Sequence, residues 1–382
     1  MIKLLYIANI RFPTERAHGI QIAHMCNAFA SAGAEVELVA QQRVSVIRED
    51  AFTYYHLPKS FRITELRTLD TLQYAWTGLL GRISYTSQTA IYALHVCWYA
   101  IRTKWVIYSR DETLLFLLSF LGRQFFYEIH APKWNFVTRR VVRKSALLFP
   151  ITQGLKDFYI QKGVTPERLI VAPDAVNLAQ FAIPESRGAC RKRLGLPFDK
   201  KIVLYAGHLY ERKGAFVVGE AAPLLDDDTL VFFVGGTEDE IPDFTKRYGS
   251  DPHVRILGPK PHAQIPYYLR AADVLVLPNT AKDADARLYT SPMKLFEYMA
   301  SGTPIIASDV QSLREILDER TSYFFAPDDA HSLAESLTHV LLLEEEADKK
   351  AQAAKKRVEN YTWKNRAKNI LAAMSAMTND QK

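Results

Sequence analysis

Apolar and polar positions along this chain alternate on two length scales. Short runs that are apolar throughout, or rich in β-branched and aromatic residues, fall at Lys3–Ala8, Val36–Ala40, Phe52–Leu57, Trp105–Tyr108, Phe125–Ile129 and Leu147–Pro150. A second series falls at Ile202–Ala206, Leu230–Val234, Val254–Leu257, Val274–Leu277, Pro304–Ala307 and Tyr323–Phe325. Between them lie longer stretches of helical pattern, among them Ile20–Ala32, Thr86–Thr103 and Phe136–Lys144. Strand-length runs without a polar face, separated by helices, predict parallel sheets covered on both sides. Two such series predict an α/β protein of two doubly wound, Rossmann-like domains.

The pattern breaks near residues 173–200, where Pro173, Pro184, Gly188, Gly195 and Pro197 interrupt it and Glu185–Arg193 is polar. This predicts an N-terminal, acceptor-side domain over 1–180 and a C-terminal, nucleotide-binding domain over 181–360. Residues 361–382 are expected to form a C-terminal helix that packs back on the N-terminal domain. Open α/β sheets bind ligands beyond the carboxyl ends of their strands, so the loops there are where chemistry is expected.

Composition narrows the classes. At 382 residues the chain is too long for one ordinary core, and 48% hydrophobic with 24% charged residues is ordinary for a globular protein. The three cysteines, Cys26, Cys97 and Cys190, are odd in number and far apart. They offer neither a disulfide framework nor a metal-ligand pair, which points to a reducing, cytoplasmic setting. The opening Met1–Asn9 runs straight into a strand pattern and lacks the apolar region and cleavage site of a signal peptide. The longest nearly uncharged apolar stretch, Thr89–Ile101, is too short to span a bilayer. The net charge of +6 sits in the first half: residues 1–180 hold 21 Lys and Arg against 13 Asp and Glu, and the remainder 27 against 29. Such an excess fits a solvated surface, or attraction to an anionic membrane face or an anionic acceptor. No nucleic-acid motif accompanies it, so no nucleic-acid partner is expected.

Three places carry candidate chemistry. Ala17-His18-Gly19-Ile20-Gln21 follows the first strand and starts the first helix, where a glycine lets a ligand approach the backbone and a helix N-terminus favours an anion. Gly207-His208-Leu209-Tyr210-Glu211-Arg212-Lys213-Gly214 follows the first strand of the second domain; its adjacent cations suit a diphosphate, offsetting its charge as it leaves. Thr290-Ser291-Pro292-Met293-Lys294 reads as a helix start, with Ser291 as N-cap and Pro292 at the first helical position, presenting free N–H groups to a phosphate. Glu297 lies just past that first turn, and an ionised carboxylate suits the hydroxyls of a ribose. Each has a plainer reading as a turn glycine, a wet basic loop or a surface glutamate. Asp226–Asp228 and Asp283-Ala284-Asp285 both spell Asp-x-Asp; the second is the better metal candidate, yet Arg212 and Lys213 already supply positive charge, so no metal is expected.

These residues resemble the retaining glycosyltransferases of GT-B fold known as family 4, or glycosyl transferases group 1. The likeness covers nearly the whole chain and is strongest from Ile202 to Ala307. The family's GRLxxxKG element matches Gly207–Gly214, and EAMAxGxP matches Glu297–Pro304. The histidine closing a first-domain strand matches His130, the hinge APNGVD resembles Ala172–Asn177, and Gly258–Pro266 resembles the loop that holds the base. The resemblance implies two domains facing each other across a cleft that binds a nucleotide-sugar donor, UDP-linked first and GDP-linked next, with no other cofactor. It implies that Arg212 and Lys213 bind the diphosphate, Glu297 the ribose, and His130 the transferred sugar. Gly19 and His208 would lie by the phosphates, Gly258 and Lys260 by the base, and Ser291, Met293 and Lys294 by the distal phosphate.

The chain departs from the family twice. His208 replaces the usual arginine after the first glycine, and Tyr289 stands where a second glutamate is usual, eight residues before Glu297. The reading is therefore a metal-independent, hexosyltransferase-type retaining enzyme for a glycan, lipid-linked or small-molecule acceptor, in surface polysaccharide, lipopolysaccharide or glycolipid synthesis. A non-catalytic nucleotide-sugar-binding protein and a sugar-nucleotide epimerase of the same architecture remain alternatives. No Gly-x-Gly-x-x-Gly follows the first strand, which argues against a dinucleotide oxidoreductase. The stretch Phe61–Trp105, with Arg62, Arg67, Tyr74, Trp76, Arg82, Tyr85, Tyr92, Trp98, Tyr99, Arg102, Lys104 and Trp105, reads equally as a peripheral membrane contact or as helices packed on the first sheet. Arg110-Asp111 is a further candidate for lining the acceptor side.

Overall fold

In the computed structural model, which describes residues 1–45, 47–68 and 78–379, the chain forms two compact units. The first comprises Met1–Ile151, Leu155–Ala172 and Trp363–Lys382; the second comprises Thr152–Gly154 and Pro173–Thr362.

The first unit is built on β1 (Lys3–Ala8), β2 (Glu35–Gln41), β3 (Arg62–Leu66), β4 (Val106–Ser109), β5 (Phe125–Ile129) and β6 (Leu148–Pro150). They form one sheet in the order β3-β2-β1-β4-β5-β6, every neighbouring pair parallel. β5 is buried along its whole length, as expected of a strand covered on both faces. Tyr6, Phe29, Tyr108 and Phe149 meet in the core at tilted and edge-on angles, with Tyr108 5.2 Å from Tyr6 and 5.3 Å from Phe29 between ring centres. The helix Trp363–Asn379 belongs to this unit and packs on the helix Ala17–Ser31, where Trp363 stacks on His24.

One predicted strand is corrected. Phe52–Leu57 does not join the sheet: Ala51–Tyr54 is a short helix, capped by Asp50, whose carboxylate accepts from the Phe52 and Thr53 N–H groups. The cap satisfies amides that a strand would have offered to a ladder. The sheet position falls instead to Arg62–Leu66, an edge strand that is only partly buried and carries Arg62 and Glu65. Tyr74 and Trp76 lie outside the described residues, as do the side chains of Arg82 and Tyr85.

The second unit contains β7 (Lys201–Ala206), β8 (Thr229–Val234), β9 (Val254–Gly258), β10 (Val274–Leu277), β11 (Ile305–Ser308) and β12 (Tyr323–Phe325). The sheet order is β12-β11-β10-β7-β8-β9, again parallel throughout. Successive residues of β7 point to opposite faces: Ile202 and Leu204 enter one apolar core, Val203 and Tyr205 the other. That is the physical reason the strand has no polar face. In both sheets the strand order reverses beside the first strand, between β1 and β4 and between β7 and β10, and a crevice opens at such a point.

Candidate functional site

In the second unit, the loop after β7 starts at Gly207, whose φ of 146° belongs to the region that favours glycine. Its N–H donates to Val234 O (2.8 Å) and its carbonyl accepts from Gly236 N–H (2.9 Å), so the loop is pinned through both backbone groups of Gly207. A side chain there would meet Tyr205 Oη at 3.2 Å and Lys294 Nζ at 3.8 Å. Gly214 closes the loop at φ 78°, where a Cβ would strike the Pro278 carbonyl. The loop after β7 thus packs on the residue that follows β10, at the reversal in strand order.

Lys213 and Lys294 come together here. Burial is the largest influence depressing both ammonium groups, and their mutual repulsion adds to it for Lys294, which falls to about 7. Lys294 Nζ also sits 4.5 Å from the centre of the Tyr205 ring, a cation–π arrangement. Among the described residues neither ammonium forms an ion pair. Arg212, at the rim, faces Asp283, 3.4 Å away. The Asp283 carboxylate is engaged besides by the Asp285 N–H (2.8 Å), and among the described residues no group of three or more His, Cys, Asp or Glu could hold a metal ion.

The helix Met293–Ser301 brings Lys294 and Glu297 to this place. The expected cap is corrected: Pro292, not Ser291, stands at the N-cap, and no side chain caps the helix. The Ser291 hydroxyl instead accepts from the Asp174 N–H (3.0 Å), which anchors the helix start to the segment 173–177. The amides of Met293 and Lys294 thus open the helix uncapped, the arrangement that receives an anion. Tyr298 Oη accepts from the Ala206 N–H (2.8 Å), locking the helix to the end of β7. Glu297 lies 3.3 Å from His262 Nε2, and this bond is the main cause that raises the His262 pKa. His262 belongs to the loop after β9, so Gly258 (φ 68°) and Lys260 are carried on the element that touches Glu297.

His208 lies beside this group rather than in it. It is more than half exposed and bonds Glu240 (2.8 Å), whose other oxygen accepts from Leu209 N–H (2.9 Å). Tyr289 ends the π-helical turn Asp285–Tyr289, a geometry frequent at functional sites.

The first unit carries a second constellation at its own reversal. Glu128, the last residue but one of β5, is wholly buried. Its carboxylate accepts from Gln21 Nε2 (2.6 Å) and Tyr108 Oη, lies 2.6 Å from His130 Nε2, and pairs with Arg366 at 3.1 Å. Burial alone would raise its pKa; Arg366 and the His130 bond outweigh that and hold it well below the usual range. Burial, then Arg110, lowers His130 to about 4, so the imidazole is neutral at pH 7. With Nε2 facing a carboxylate, the ring proton belongs on Nε2, and Nδ1 is left as an acceptor. Arg110 donates to Gln21 Oε1 (2.9 Å), and Gln21 lies two residues after Gly19. Gly19 and His130 are thereby joined through Gln21 and Glu128.

Gly19 also has a structural duty: a Cβ there would collide with Thr14 and lie 2.6 Å from Tyr55 Oη. Asp111 caps the helix Glu112–Leu118 through the Thr113 and Leu114 amides, both at 3.0 Å. Sequence reasoning did not single out Gln21's partner Glu128, nor Tyr205, Tyr298, His262 or Arg366. Only Glu128 had a signal, a carboxylate inside an otherwise apolar strand.

With that geometry in view, residues 186–357 match the family described as Glycosyl transferases group 1. A Bacillus subtilis protein named as a teichuronic acid biosynthesis glycosyltransferase, TuaC, is 31% identical over 61% of this chain and 56% of its own length. The chain spans about half or less of the length of the curated relatives it matches. Among solved structures, Anabaena HepE in complex with UDP superimposes with a TM-score of 0.72 at 17% identity, covering 98% of this chain and 100% of that one. Sucrose-phosphate synthase from Thermosynechococcus elongatus gives 0.76 at 17% identity, each chain covered in full. The fold is GT-B.

Proposed function

We propose that this chain, whose residues 186–357 match glycosyl transferases group 1, is a retaining glycosyltransferase that moves a hexose from a nucleotide-sugar donor to an acceptor hydroxyl. The observation that carries the reading is the pair Lys213 and Lys294. Two ammonium groups that form no ion pair among the described residues, with Asp283 and Glu297 acting on them only through space, converge beside Gly207 and an uncapped helix start. That arrangement costs free energy unless an anion fills it, and a diphosphate has the charge and the oxygens to do so.

In this reading Arg212, Lys213, Lys294 and the amides of Met293 and Lys294 stabilise the departing diphosphate, the main electrostatic task in donor cleavage. Those cations support a reaction without a divalent metal. Glu297 takes the ribose hydroxyls, and Gly258 and Lys260 flank the base. UDP is the first candidate donor nucleotide, in keeping with the UDP bound by HepE, and GDP is the next. His130 accepts a hydroxyl of the transferred sugar at Nδ1, its ring oriented by Glu128. The anomeric carbon passes through an oxocarbenium-like state, and the acceptor attacks on the face the diphosphate leaves, its proton passing to that diphosphate. The acceptor is a glycan, a lipid-linked sugar or a small molecule, which places the reaction in surface polysaccharide or glycolipid synthesis.

Thermal shift with UDP-, GDP-, ADP- and dTDP-sugars in EDTA tests the reading. A ligand at about 100 times its dissociation constant adds roughly 2.7 kcal/mol, enough to raise the melting temperature visibly. One base should stabilise the protein, and Glu297→Ala and Lys213→Ala should abolish the effect. No shift with any donor would remove the reading. Tyr289, in the place of the family's glutamate, favours a second reading, a protein that binds the donor without turning it over; binding without product against every acceptor offered would select it.

A further inference from the structure

Parallel right-handed crossovers place the helices that lead into β4, β5 and β6 on one face of the first sheet. These are Gly78–Arg102, Glu112–Leu118 and Phe136–Lys144, which pack side by side. Their inner sides are well used: Tyr92 Oη, for example, donates to Ala8 O and Val39 O beneath it. Their outer sides are not those of an ordinary solvated layer. Leu94, Trp98 and Ile101 follow one another at helical spacing, and Phe120 and Phe136 continue the apolar surface, each of the five 57–68% exposed. Phe116 bridges the last two, with ring centres at 5.3 and 5.7 Å.

The charges around these side chains are of one sign. The Arg102 guanidinium lies 3.3 Å over the Trp98 ring and that of Arg140 3.7 Å over Phe120. Arg139, Arg143 and Lys144 are exposed on the neighbouring helix. From residue 71 to residue 156 the sequence holds eleven Lys and Arg but only three carboxylates, Asp111, Glu112 and Glu128. None of the three balances this face: Asp111 caps a helix, Glu112 is bonded to Lys133 at 2.6 Å, and Glu128 is buried.

We propose that this three-helix face of the first unit is a docking surface for an anionic lipid bilayer. Trp98, Phe120 and Phe136 enter the headgroup boundary, while the arginines and Lys144 stay among the lipid phosphates. A second protein copy would have to meet a like-charged face, which favours a bilayer over self-association. The surface extends beyond the stretch 61–105 that the sequence alone suggests, and Phe120 and Phe136 lie outside it. It does not depend on the glycosyl-transfer reading, whose thermal-shift test reports on the second unit.

The test is co-sedimentation of the full chain with vesicles of phosphatidylcholine alone and of phosphatidylcholine with phosphatidylglycerol, alongside tryptophan emission. The chain should sediment with the anionic vesicles at low salt, with its emission shifted to the blue. Arg139→Ser/Arg143→Ser/Lys144→Ser should weaken partition about 100-fold, at roughly tenfold or somewhat less per cation. Trp98→Ser/Phe120→Ser/Phe136→Ser should lose the blue shift while keeping the wild-type melting temperature, since these side chains are already exposed. A wild-type chain that stays in solution, or a triple aromatic variant that binds as well as wild type, overturns the proposal. So does a chain that is dimeric by light scattering and becomes monomeric in the aromatic variant, which would give the face to a second copy.

Discussion

Lys294 shows what one residue contributes that the sequence could not display. Its position in a family-like motif is legible, but its pKa of about 7 arises from burial and from Lys213, eighty-one positions earlier in the chain. An ammonium poised at neutrality binds an anion only while it keeps its proton. The affinity for a nucleoside diphosphate should therefore fall as pH rises from about 6 to about 9, through the ordinary working range. Lys294→Arg keeps its charge throughout and should flatten that dependence. Calorimetric titration of UDP at several pH values measures both; a wild-type affinity as flat as the variant's would deny Lys294 its place at the phosphates. Glu128 makes the same point about burial. A carboxylate in a covered strand is conspicuous in the sequence, but that it gathers Gln21, Tyr108, His130 and Arg366 emerges only when distant segments meet.

At the scale of elements, the strands that the sequence made plain were those buried on both faces, since burial on two sides leaves no polar position. Arg62–Leu66 was missed because an edge strand is half exposed and carries charge, while Phe52–Leu57 looked more β-like until Asp50 capped it into a helix. The helix Met293–Ser301 was legible in place but not in its attachment. Its N-terminus lacks the expected serine cap, and Tyr298 ties it to β7 through the Ala206 N–H. Tyr298→Phe removes the acceptor and leaves that N–H unsatisfied, which should cost about 1–3 kcal/mol. Because Lys294 and Glu297 ride on the same helix, donor affinity should fall as well, although Tyr298 is fully buried. Denaturant titration and UDP binding on the one variant check the two effects. Lost stability with unchanged affinity would mean the helix is positioned by other contacts.

For the molecule as a whole, the two units carry half-buried histidines of opposite habit, and acid should pull their stabilities apart. In the first unit His18 and His130 are both lowered to about 4, by burial first and Arg110 next. An unfolded histidine titrates near 6.5, so between about 6.5 and 4 the unfolded chain binds protons that the native unit refuses, and stability falls as pH falls. In the second unit His262 is raised by its bond to Glu297. Its contribution is complete below the unfolded value and is lost as pH rises through the folded one, so acid favours that unit. Lys294 does not disturb the comparison below about pH 6, where it is protonated in the folded and unfolded chain alike. The two units can be followed separately: all five tryptophans, Trp76, Trp98, Trp105, Trp134 and Trp363, fall in the segments of the first unit. Between about pH 6 and about pH 5, the unfolding midpoint seen by tryptophan fluorescence should drop below the one seen by far-UV circular dichroism, which reports both units. His18→Gln should shrink the gap by removing one of the two refused protons. Transitions that stay coincident across that range would mean either that the units unfold as one or that these imidazoles are not held neutral, and the variant separates the two: only in the first case would it still shift the common midpoint.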